Sequence, residues 1–197
     1  MIGAAVNNLL PIFLSYLLGS VPFGLWLGQR LRGVDIRQHG SRNIGATNTM
    51  RVLGKKLGAA ALVCDIAKGL IPVVLLGQWS GWEHLPLLCG LAAILGHTFS
   101  VFLGFKGGKG VATSAGVFLG LAPIPTLLGA VVFGAVLAAT RMVSAGSVSA
   151  AAVMAVTVFI WSDSWPVRGI AVLVATLVIV KHRSNLGRIW RGEESRI

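Results

Sequence analysis

The sequence predicts an all-α, polytopic integral membrane protein, and three observations support that fold class. Of 197 residues, 55% are hydrophobic and 12% are charged, about half of the ~25% charged residues found in soluble domains. The apolar residues gather into seven runs. The basic residues lie almost entirely in segments that one topology places on a single side of the membrane, as is typical of cytoplasmic loops.

The seven apolar runs define the predicted helices. They cover residues 9–28, 57–76, 85–105, 111–122, 124–140, 145–161 and 165–180. A bilayer core of ~30 Å needs about 20 helical residues, with ~17 as the lower end, and the first three runs meet that length. The fourth run is too short alone, and Pro123 and Pro125 separate it from the fifth. Length leaves two arrangements open, a helical hairpin with one thin leg or a single long bent span.

Charge placement favours the hairpin. With the N-terminus outside and seven spans, all Lys and Arg residues except Lys68 and Arg168 fall on the cytoplasmic side, in agreement with the positive-inside rule. Merging the fourth and fifth runs would place Arg141 and the basic C-terminal segment outside. We therefore predict seven transmembrane helices with a cytoplasmic C-terminus, in one integral membrane domain over residues 1–197.

Several function classes are excluded by what the sequence lacks. A net charge of +11 would suggest nucleic-acid binding in a soluble protein, but no nucleic-acid-binding module is recognised, so we expect no such partner. His-x4-Asp pairs, Gly-x-Ser-x-Gly elbows, His-Glu-x-x-His motifs and carboxylate-rich clusters are absent from the sequence. Cys64 and Cys89 lie in apolar runs without metal-ligand spacing. We expect neither a metal nor a cofactor.

Three polar clusters lie on the predicted cytoplasmic side. They cover residues 40–51, 106–113 and 181–188, and each combines cations with small hydroxyl or amide donors. Glycines allow close backbone approach, and exposed N–H groups before a helix bind anions. The second cluster lacks the spacing of a Walker A loop. Simpler explanations are a turn-rich linker for the first cluster, a basic loop against lipid headgroups for the second and a positive-inside signal for the third.

Further candidates lie inside the apolar runs or where one run leads into the next. Ser144 and Ser147 are either small residues for helix packing or hydroxyl donors facing the cytoplasmic site. Asp65 and Lys68 are three residues apart, on one helix face. Intramembrane charges are functional candidates, but we favour an internal ion pair that supports the site. For His97 we favour a core histidine over a catalytic one.

Taken together, these segments resemble the bacterial acyl-phosphate:glycerol-3-phosphate acyltransferases, the PlsY family. The matching stretches, in chain order, are Gly-Ser-Val-Pro-Phe-Gly at 19–24, Gly-Ser-Arg-Asn-Ile-Gly-Ala-Thr-Asn at 40–48, Asp-Ile-Ala-Lys-Gly at 65–69, Gly-His at 96–97, Phe-Lys-Gly-Gly-Lys-Gly-Val-Ala-Thr at 105–113, His-Arg-Ser-Asn-Leu-Gly-Arg at 182–188 and Gly-x-Glu at 192–194. The likeness covers almost the whole chain. One departure is Arg42, where the family more often carries glycine or another residue.

The resemblance implies a multi-pass enzyme of the bacterial inner membrane with seven helices and an active site open to the cytoplasm. Its reaction would use acyl phosphate and glycerol 3-phosphate to make lysophosphatidic acid and phosphate, without a cofactor. Acyl-CoA and acyl carrier protein would not serve directly as donors. Its other partners would be membrane lipids and, by functional coupling, the soluble enzyme that makes acyl phosphate.

Roles for single residues follow as hypotheses from that resemblance. Lys109, the amides of Gly107, Gly108 and Gly110, and Ser41 would hold the acyl-phosphate headgroup, whereas Arg51, His182, Asn185 and Ser144 or Ser147 would hold glycerol 3-phosphate. Asn43, Asn48, Lys106 and Arg188 complete the predicted binding set. Lys109, Ser41, His182 and Asn185 form the predicted catalytic set. The base is either His182 or a phosphate oxygen of the donor, and we favour the substrate.

Two other classes of function remain as alternatives. A transporter for organic phosphates would bind its substrate near the bilayer midplane within inverted repeats, but the polar clusters lie at one membrane edge and no convincing repeat is visible. A structural or assembly protein that holds anionic lipid would not need glycine-flanked donors at three places.

Overall fold

The computed structural model describes residues 2–197, with side chains described from Asn7 onward, and within that part every regular element is helical. The ten α-helices are α1 (Ile2–Ser20), α2 (Phe23–Arg32), α3 (Ala46–Leu53), α4 (Lys55–Val74), α5 (Leu85–Thr98), α6 (Val111–Leu121), α7 (Pro123–Thr140), α8 (Val143–Trp161), α9 (Trp165–Lys181) and α10 (Arg183–Trp190). Three short 3-10 turns complete the described elements. The all-α prediction is confirmed for the described residues.

Four helical segments are long and apolar enough to cross a bilayer. They are Lys55–Gln78, Leu85–Leu103, Pro123–Thr140 and Val143–Trp161. Two further pairs of helices qualify if each pair is one broken span, namely α1 with α2, bent by 47°, and α9 with α10, bent by 56°. Length and composition therefore support four to six spans among the described residues, and the predicted count of seven stays a prediction.

The fourth apolar run forms a short helix of its own. Helix α6 has 11 residues, which gives about 16 Å at 1.5 Å per residue, roughly half of a ~30 Å hydrocarbon core. It ends at Leu121, Ala122 takes an extended φ of −150°, and α7 starts at Pro123. Proline favours the first position of a helix because no intrahelical N–H is needed there. The fourth and fifth runs are thus not one continuous helix.

The first apolar run is also interrupted, which its hydropathy did not predict. Helix α1 ends at Ser20 and α2 begins at Phe23, because Pro22 has no N–H and its ring clashes with a continuing helix. The break exposes the carbonyl of Val21, which accepts a hydrogen bond of 2.7 Å from Lys68 Nζ. A cation of α4 therefore satisfies the backbone where this run bends.

The described chain groups into two compact units, residues 1–120 and 121–197, and the prediction of a single domain stays a prediction. In the first unit, α1 and α4 pack against the largely buried α5. A Cβ atom on Gly19 would overlap the backbone of Ala93, and one on Gly96 would overlap that of Tyr16. Small residues at these crossings let the helix backbones approach closely, as is common in membranes. In the second unit, α8 packs against α7 and α9.

Arg168, the cation that the predicted topology places outside, has a local structural role in the second unit. Its Nε donates to the carbonyl of Ser162 at 2.6 Å and its Nη2 to that of Phe159 at 3.2 Å. The guanidinium also lies 4.8 Å from the centroid of the Trp165 ring. The last carbonyls of a helix have no intrahelical donor, so Arg168 caps the C-terminal end of α8.

We expect Arg168→Ala to destabilise the protein, because two carbonyls lose a charged donor and the ring loses a cation. The free energy of unfolding should fall by about 1–3 kcal/mol, which lowers Tm by roughly 2–4 °C per kcal/mol. Thermal unfolding in detergent measures this. Arg168→Lys keeps the charge without the planar fork of donors and should be intermediate. Equal Tm values for all three proteins would contradict the capping role.

Candidate functional site

The first polar cluster folds around the side chain of Asn48, which lies in the first turn of α3 and is 1% exposed. Its Nδ2 donates to the carbonyls of Ile36, His39 and Asn43 at 2.8, 3.2 and 2.9 Å. Its Oδ1 accepts the backbone N–H of Ser41 at 2.8 Å. We predicted Asn48 as a substrate ligand, but here both ends of its amide bind the loop that precedes α3.

The loop residues that Asn48 holds are largely exposed. Ser41 and Arg42 lie at the surface, Asn43 is half-buried, and Arg51 is exposed in the last turn of α3. Arg42 has a φ of +58°, in the left-handed region that glycine adopts at little cost. This geometry explains why a glycine suits the position where this chain departs from its family. Asn43 Oδ1 accepts the N–H of Gly45 at 2.9 Å.

The glycine-rich loop of the second cluster packs against the C-terminal end of α5. Gly107 N–H donates to the carbonyl of Thr98 at 3.2 Å, and Gly108 N–H donates to that of His97 at 3.0 Å. A Cβ on Gly107 would overlap the His97 backbone, and one on Gly108 would overlap the His97 ring. We predicted that these two amides bind phosphate, but their N–H groups instead satisfy carbonyls at the end of α5.

The remaining part of this loop leads into α6. Lys106 is exposed and Lys109 is half-buried, and Gly110, with a φ of +81°, immediately precedes the helix. A helix N-terminus favours anions through its dipole and its first N–H groups. Lys109 and Gly110 are therefore the residues of the loop that lie nearest to an anion-favouring helix end.

Three buried hydroxyl groups lie close to the start of α6, and sequence reasoning did not assign them. The hydroxyls of Thr98, Thr113 and Ser114 have no hydrogen-bond partner among the described residues. Those of Thr98 and Ser114 lie 3.2 and 3.8 Å from the position that a Cβ on Gly110 would take. Hydroxyl groups are both donors and acceptors. Of the three residues, only Thr113 belongs to a polar cluster that the sequence analysis recognised, the one at residues 106–113.

Asp65 and Lys68 form a buried ion pair next to His97, the residue against which the glycine-rich loop packs. Lys68 Nζ lies 2.8 Å from Asp65 Oδ1, and their side chains are 1% and 3% exposed. His97 Nδ1 lies 3.8 Å from the same carboxylate oxygen. Removing one partner of a buried pair leaves the other charge uncompensated. These contacts join α4 to the end of α5 and, through Val21, to the break after α1, as a supporting role requires.

In the second unit, three predicted ligands meet at one carboxylate, Glu194, which lies in a stretch that matches the family but was given no role from the sequence. Glu194 is buried, and its Oε1 accepts from Ser144 Oγ at 2.7 Å and from Asn185 Nδ2 at 2.6 Å. Its Oε2 accepts from Arg188 Nε at 2.8 Å. The sequence offered two signals for it, the Gly-x-Glu match at 192–194 and an acidic residue in a strongly basic C-terminal segment. Glu194 therefore fixes three side chains that come from α8 and α10.

The hydrogen bonds at Glu194 also set its protonation. Burial raises the pKa of the carboxyl group, but the hydrogen bonds from Ser144, Asn185 and Arg188 and the charge of Arg188 outweigh it. The pKa of Glu194 is therefore held below its usual value. The carboxylate is ionised at neutral pH, where its charge-assisted bonds are strongest.

His182 and Ser147 both bind carbonyls one helical turn earlier. His182 is 3% exposed, and its Nδ1 lies 2.8 Å from the carbonyl of Val178. Because a carbonyl only accepts, Nδ1 carries the proton and the lone pair of the neutral ring is on Nε2. Ser147 Oγ donates to the carbonyl of Val143 at 2.8 Å, so its hydroxyl proton is used within α8.

Glu194→Gln should change how stability depends on pH. The folded-state pKa lies below the unfolded value of about 4.3, so the stabilisation is complete above that value and is lost as pH falls through the folded pKa. Tm measured from pH 7 to pH 3 in detergent should fall less steeply in Glu194→Gln than in the wild type, from a lower starting value. Glu193→Gln is the matched control, because Glu193 is exposed and pairs with exposed Arg191. The same pH dependence in Glu194→Gln and the wild type would contradict this account.

The family profile described as glycerol-3-phosphate acyltransferase matches residues 9–192. Among curated relatives with that name, the protein of Geobacter metallireducens is 54% identical over 183 residues, which cover 92% of this chain and 93% of the relative. The protein of Trichlorobacter lovleyi is 50% identical over 92% of this chain and 93% of its own length. That of Anaeromyxobacter sp. is 46% identical over 98% and 97%.

The fold is also similar to a solved structure. The crystal structure of PlsY, an integral membrane glycerol 3-phosphate acyltransferase in its glycerol 3-phosphate form, superimposes with a TM-score of 0.90 and 37% identity, covering 96% of this chain and 95% of that one. Its lysophosphatidic acid form gives a TM-score of 0.88. Sequence and fold agree over nearly the whole length, and the chain belongs to the PlsY family of integral membrane glycerol-3-phosphate acyltransferases.

Proposed function

We propose that this acyltransferase takes its acyl group from acyl phosphate and transfers it to the primary hydroxyl of glycerol 3-phosphate. The hydroxyl oxygen forms a bond to the acyl carbonyl carbon, the bond from that carbon to the phosphate oxygen breaks, and phosphate leaves. The products are lysophosphatidic acid and inorganic phosphate. The observation that carries the proposal is a set of cationic, donor-rich loops that contain no serine elbow and no His-x4-Asp pair.

The chemistry of an acyl phosphate suits such loops. Its leaving group is already a stable anion, so the protein needs to bind negative charge and stabilise the developing oxyanion rather than supply a strong acid. Lys109 and the start of α6 are assigned to the donor phosphate, with Ser41 and Lys106 as further ligands. The buried hydroxyls of Thr98 and Ser114 lie beside Gly110 and are further donors near the start of α6.

The acceptor is assigned to the residues of the third cluster, and the role of Arg51 stays a prediction from the sequence. Arg188 donates to Glu194 through Nε, and a guanidinium carries five N–H donors, so its outer nitrogens suit a phosphate dianion. Its side chain is 37% exposed. Glu194 holds Asn185 and Ser144 in fixed orientations, which limits the freedom that substrate binding would otherwise cost. His182 completes this set.

Two groups can accept the proton of the attacking hydroxyl. The Nε2 lone pair of His182 is one, because Nδ1 is bound to the carbonyl of Val178. A phosphate oxygen of the donor is the other, with a second pKa near 6 for phosphoryl groups. We favour the substrate oxygen, because phosphate leaves in the same reaction and carries the proton away.

The same proposal includes the membrane arrangement. Seven spans with the N-terminus outside would put the three clusters on the cytoplasmic side of the bacterial inner membrane, where a soluble enzyme can deliver acyl phosphate. The support is the distribution of Lys and Arg along the chain and the four to six spans that length and composition give.

An activity assay of the purified protein in detergent tests the donor and the role of Lys109. We expect lysophosphatidic acid from glycerol 3-phosphate with acyl phosphate, and none with acyl-CoA or acyl carrier protein at matched concentrations. Lys109→Ala should lower kcat/KM by roughly a hundredfold, because it removes charge stabilisation in the transition state.

Lys56→Ala is the matched control, since Lys56 is exposed at the start of α4 and lies outside the assigned site. Product formation from acyl-CoA would refute the donor, and an unchanged kcat/KM in folded Lys109→Ala would remove Lys109 from the site. Turnover without a sealed membrane also excludes a protein that only transports.

The pH profile of His182→Gln distinguishes the two candidate bases. If the donor phosphate accepts the proton, the variant should keep measurable activity with an altered KM and the same pH dependence as the wild type. Loss of an ionisation near pH 6–7 from the kcat/KM profile would instead identify His182 as the base. Steady-state rates between pH 5 and pH 9 give the answer.

A further inference from the structure

We propose that Asn48 is a positioning residue that fixes the loop carrying Ser41 and does not itself bind substrate. The inference rests on the proposed function for the role of Ser41 at the donor phosphate. Asn48 then acts as a structural residue rather than a substrate ligand, and its effect on kcat/KM should depend on Ser41.

The hydrogen-bonding capacity of Asn48 excludes a direct role at a phosphate. An asparagine amide has two N–H donors, and Nδ2 already lies within 3.2 Å of three carbonyl oxygens, those of Ile36, His39 and Asn43. A phosphate accepts hydrogen bonds but offers few, so Oδ1 is not a suitable ligand for it. That oxygen is in any case bound to the N–H of Ser41.

The loop that Asn48 contacts lies between two buried residues, Ile36 and Ile44. Ile36 is fully buried and Ile44 is 5% exposed, and both belong to an apolar cluster with Leu25. Residues 37–42 between them are all exposed. Apolar packing therefore holds the two ends of this segment, and the hydrogen bonds of Asn48 to its interior determine the path of the exposed part.

The conformation of Gly40 supports the same account. Gly40 has a φ of +57°, and a Cβ at this position would overlap Oδ1 of Asn48. A glycine is thus needed here for two reasons, the left-handed backbone and the close approach of the amide oxygen. At the residue before Ser41, the loop backbone therefore packs directly against the amide oxygen of Asn48.

The consequence concerns the Ser41 side chain. Ser41 is exposed, and the bond from its N–H to Asn48 Oδ1 fixes the backbone from which its hydroxyl projects. Without that amide, the carbonyl of Asn43 loses the donor that Asn48 supplies, and the N–H of Ser41 loses its acceptor. The carbonyls of Ile36 and His39 then keep only the backbone N–H groups of His39 and Arg42. Asn48 therefore acts on the reaction through Ser41, and its effect should depend on the Ser41 hydroxyl.

A double-mutant cycle on kcat/KM tests this dependence. We expect Asn48→Ala to lower kcat/KM by roughly tenfold to a hundredfold, Ser41→Ala to do the same, and the double variant to be no worse than Ser41→Ala alone. Gly40→Ala, which presses on the amide oxygen from the loop, should reproduce the pattern if Asn48→Ala folds poorly. Gln38→Ala, an exposed neighbour with no assigned role, is the control and should match the wild type. Multiplicative losses in the double variants, or full kcat/KM in Asn48→Ala, would overturn the proposal.

Limited trypsin digestion in detergent gives a readout that does not depend on activity. Arg37 and Arg42 lie inside the segment, so Asn48→Ala should speed cleavage there about tenfold while cleavage at Lys55 or Lys56 keeps its wild-type rate. An unchanged rate at both arginines would overturn the proposal. If the wild type makes no product from acyl phosphate but the digestion pattern changes as expected, the loop assignment stands and the proposed function fails.

Discussion

Backbone carbonyls at the ends and breaks of apolar helices must receive hydrogen bonds, and this requirement determines where several polar side chains and loop amides of the protein lie. Lipid offers no donors, and a buried carbonyl without a partner costs about as much as a lost hydrogen bond. Lys68 donates a hydrogen bond to a carbonyl just after α1, and Arg168 donates to one just after α8. The amides of Gly107 and Gly108 donate to carbonyls at the end of α5. Residues that look like ligands in the sequence are thus partly used to complete the backbone.

In each cluster, some polar residues form hydrogen bonds within the protein, and others are assigned to substrate. In the first cluster Asn48 supports and Ser41 is presented. In the second, Gly107 and Gly108 hold the loop on α5, and Lys109 and Gly110 precede α6. In the third, the carboxylate of Glu194 orients neutral and cationic donors. A rigid scaffold of this kind suits a reaction that relies on placing charges rather than on a covalent intermediate.

Hydropathy predicted the helices well where an apolar run contains no break, because apolar runs and helix lengths follow from the same bilayer thickness. The runs at 145–161 and 165–180 correspond to Val143–Trp161 and Trp165–Lys181 within two residues at each end. The break at Pro22 was missed, because an average over a window does not register one absent N–H. The spacing of charges does not show it either, since Lys68, which satisfies the break, comes 47 positions after Val21.

The roles of single polar residues were harder to predict, and donor counts explain why. Asparagine, glycine and serine occur in turns, in helix caps and at phosphate contacts, so the sequence placed both Asn48 and Asn185 in the predicted binding set. Only the tertiary structure shows that the two N–H groups of Asn48 already face three carbonyls. Glu194 matched the family in sequence but was left without a role for the opposite reason, because a carboxylate repels phosphate. Its place beside Asn185 and Arg188 follows once these two are seen as side chains with more than one N–H group that need a partner to orient them.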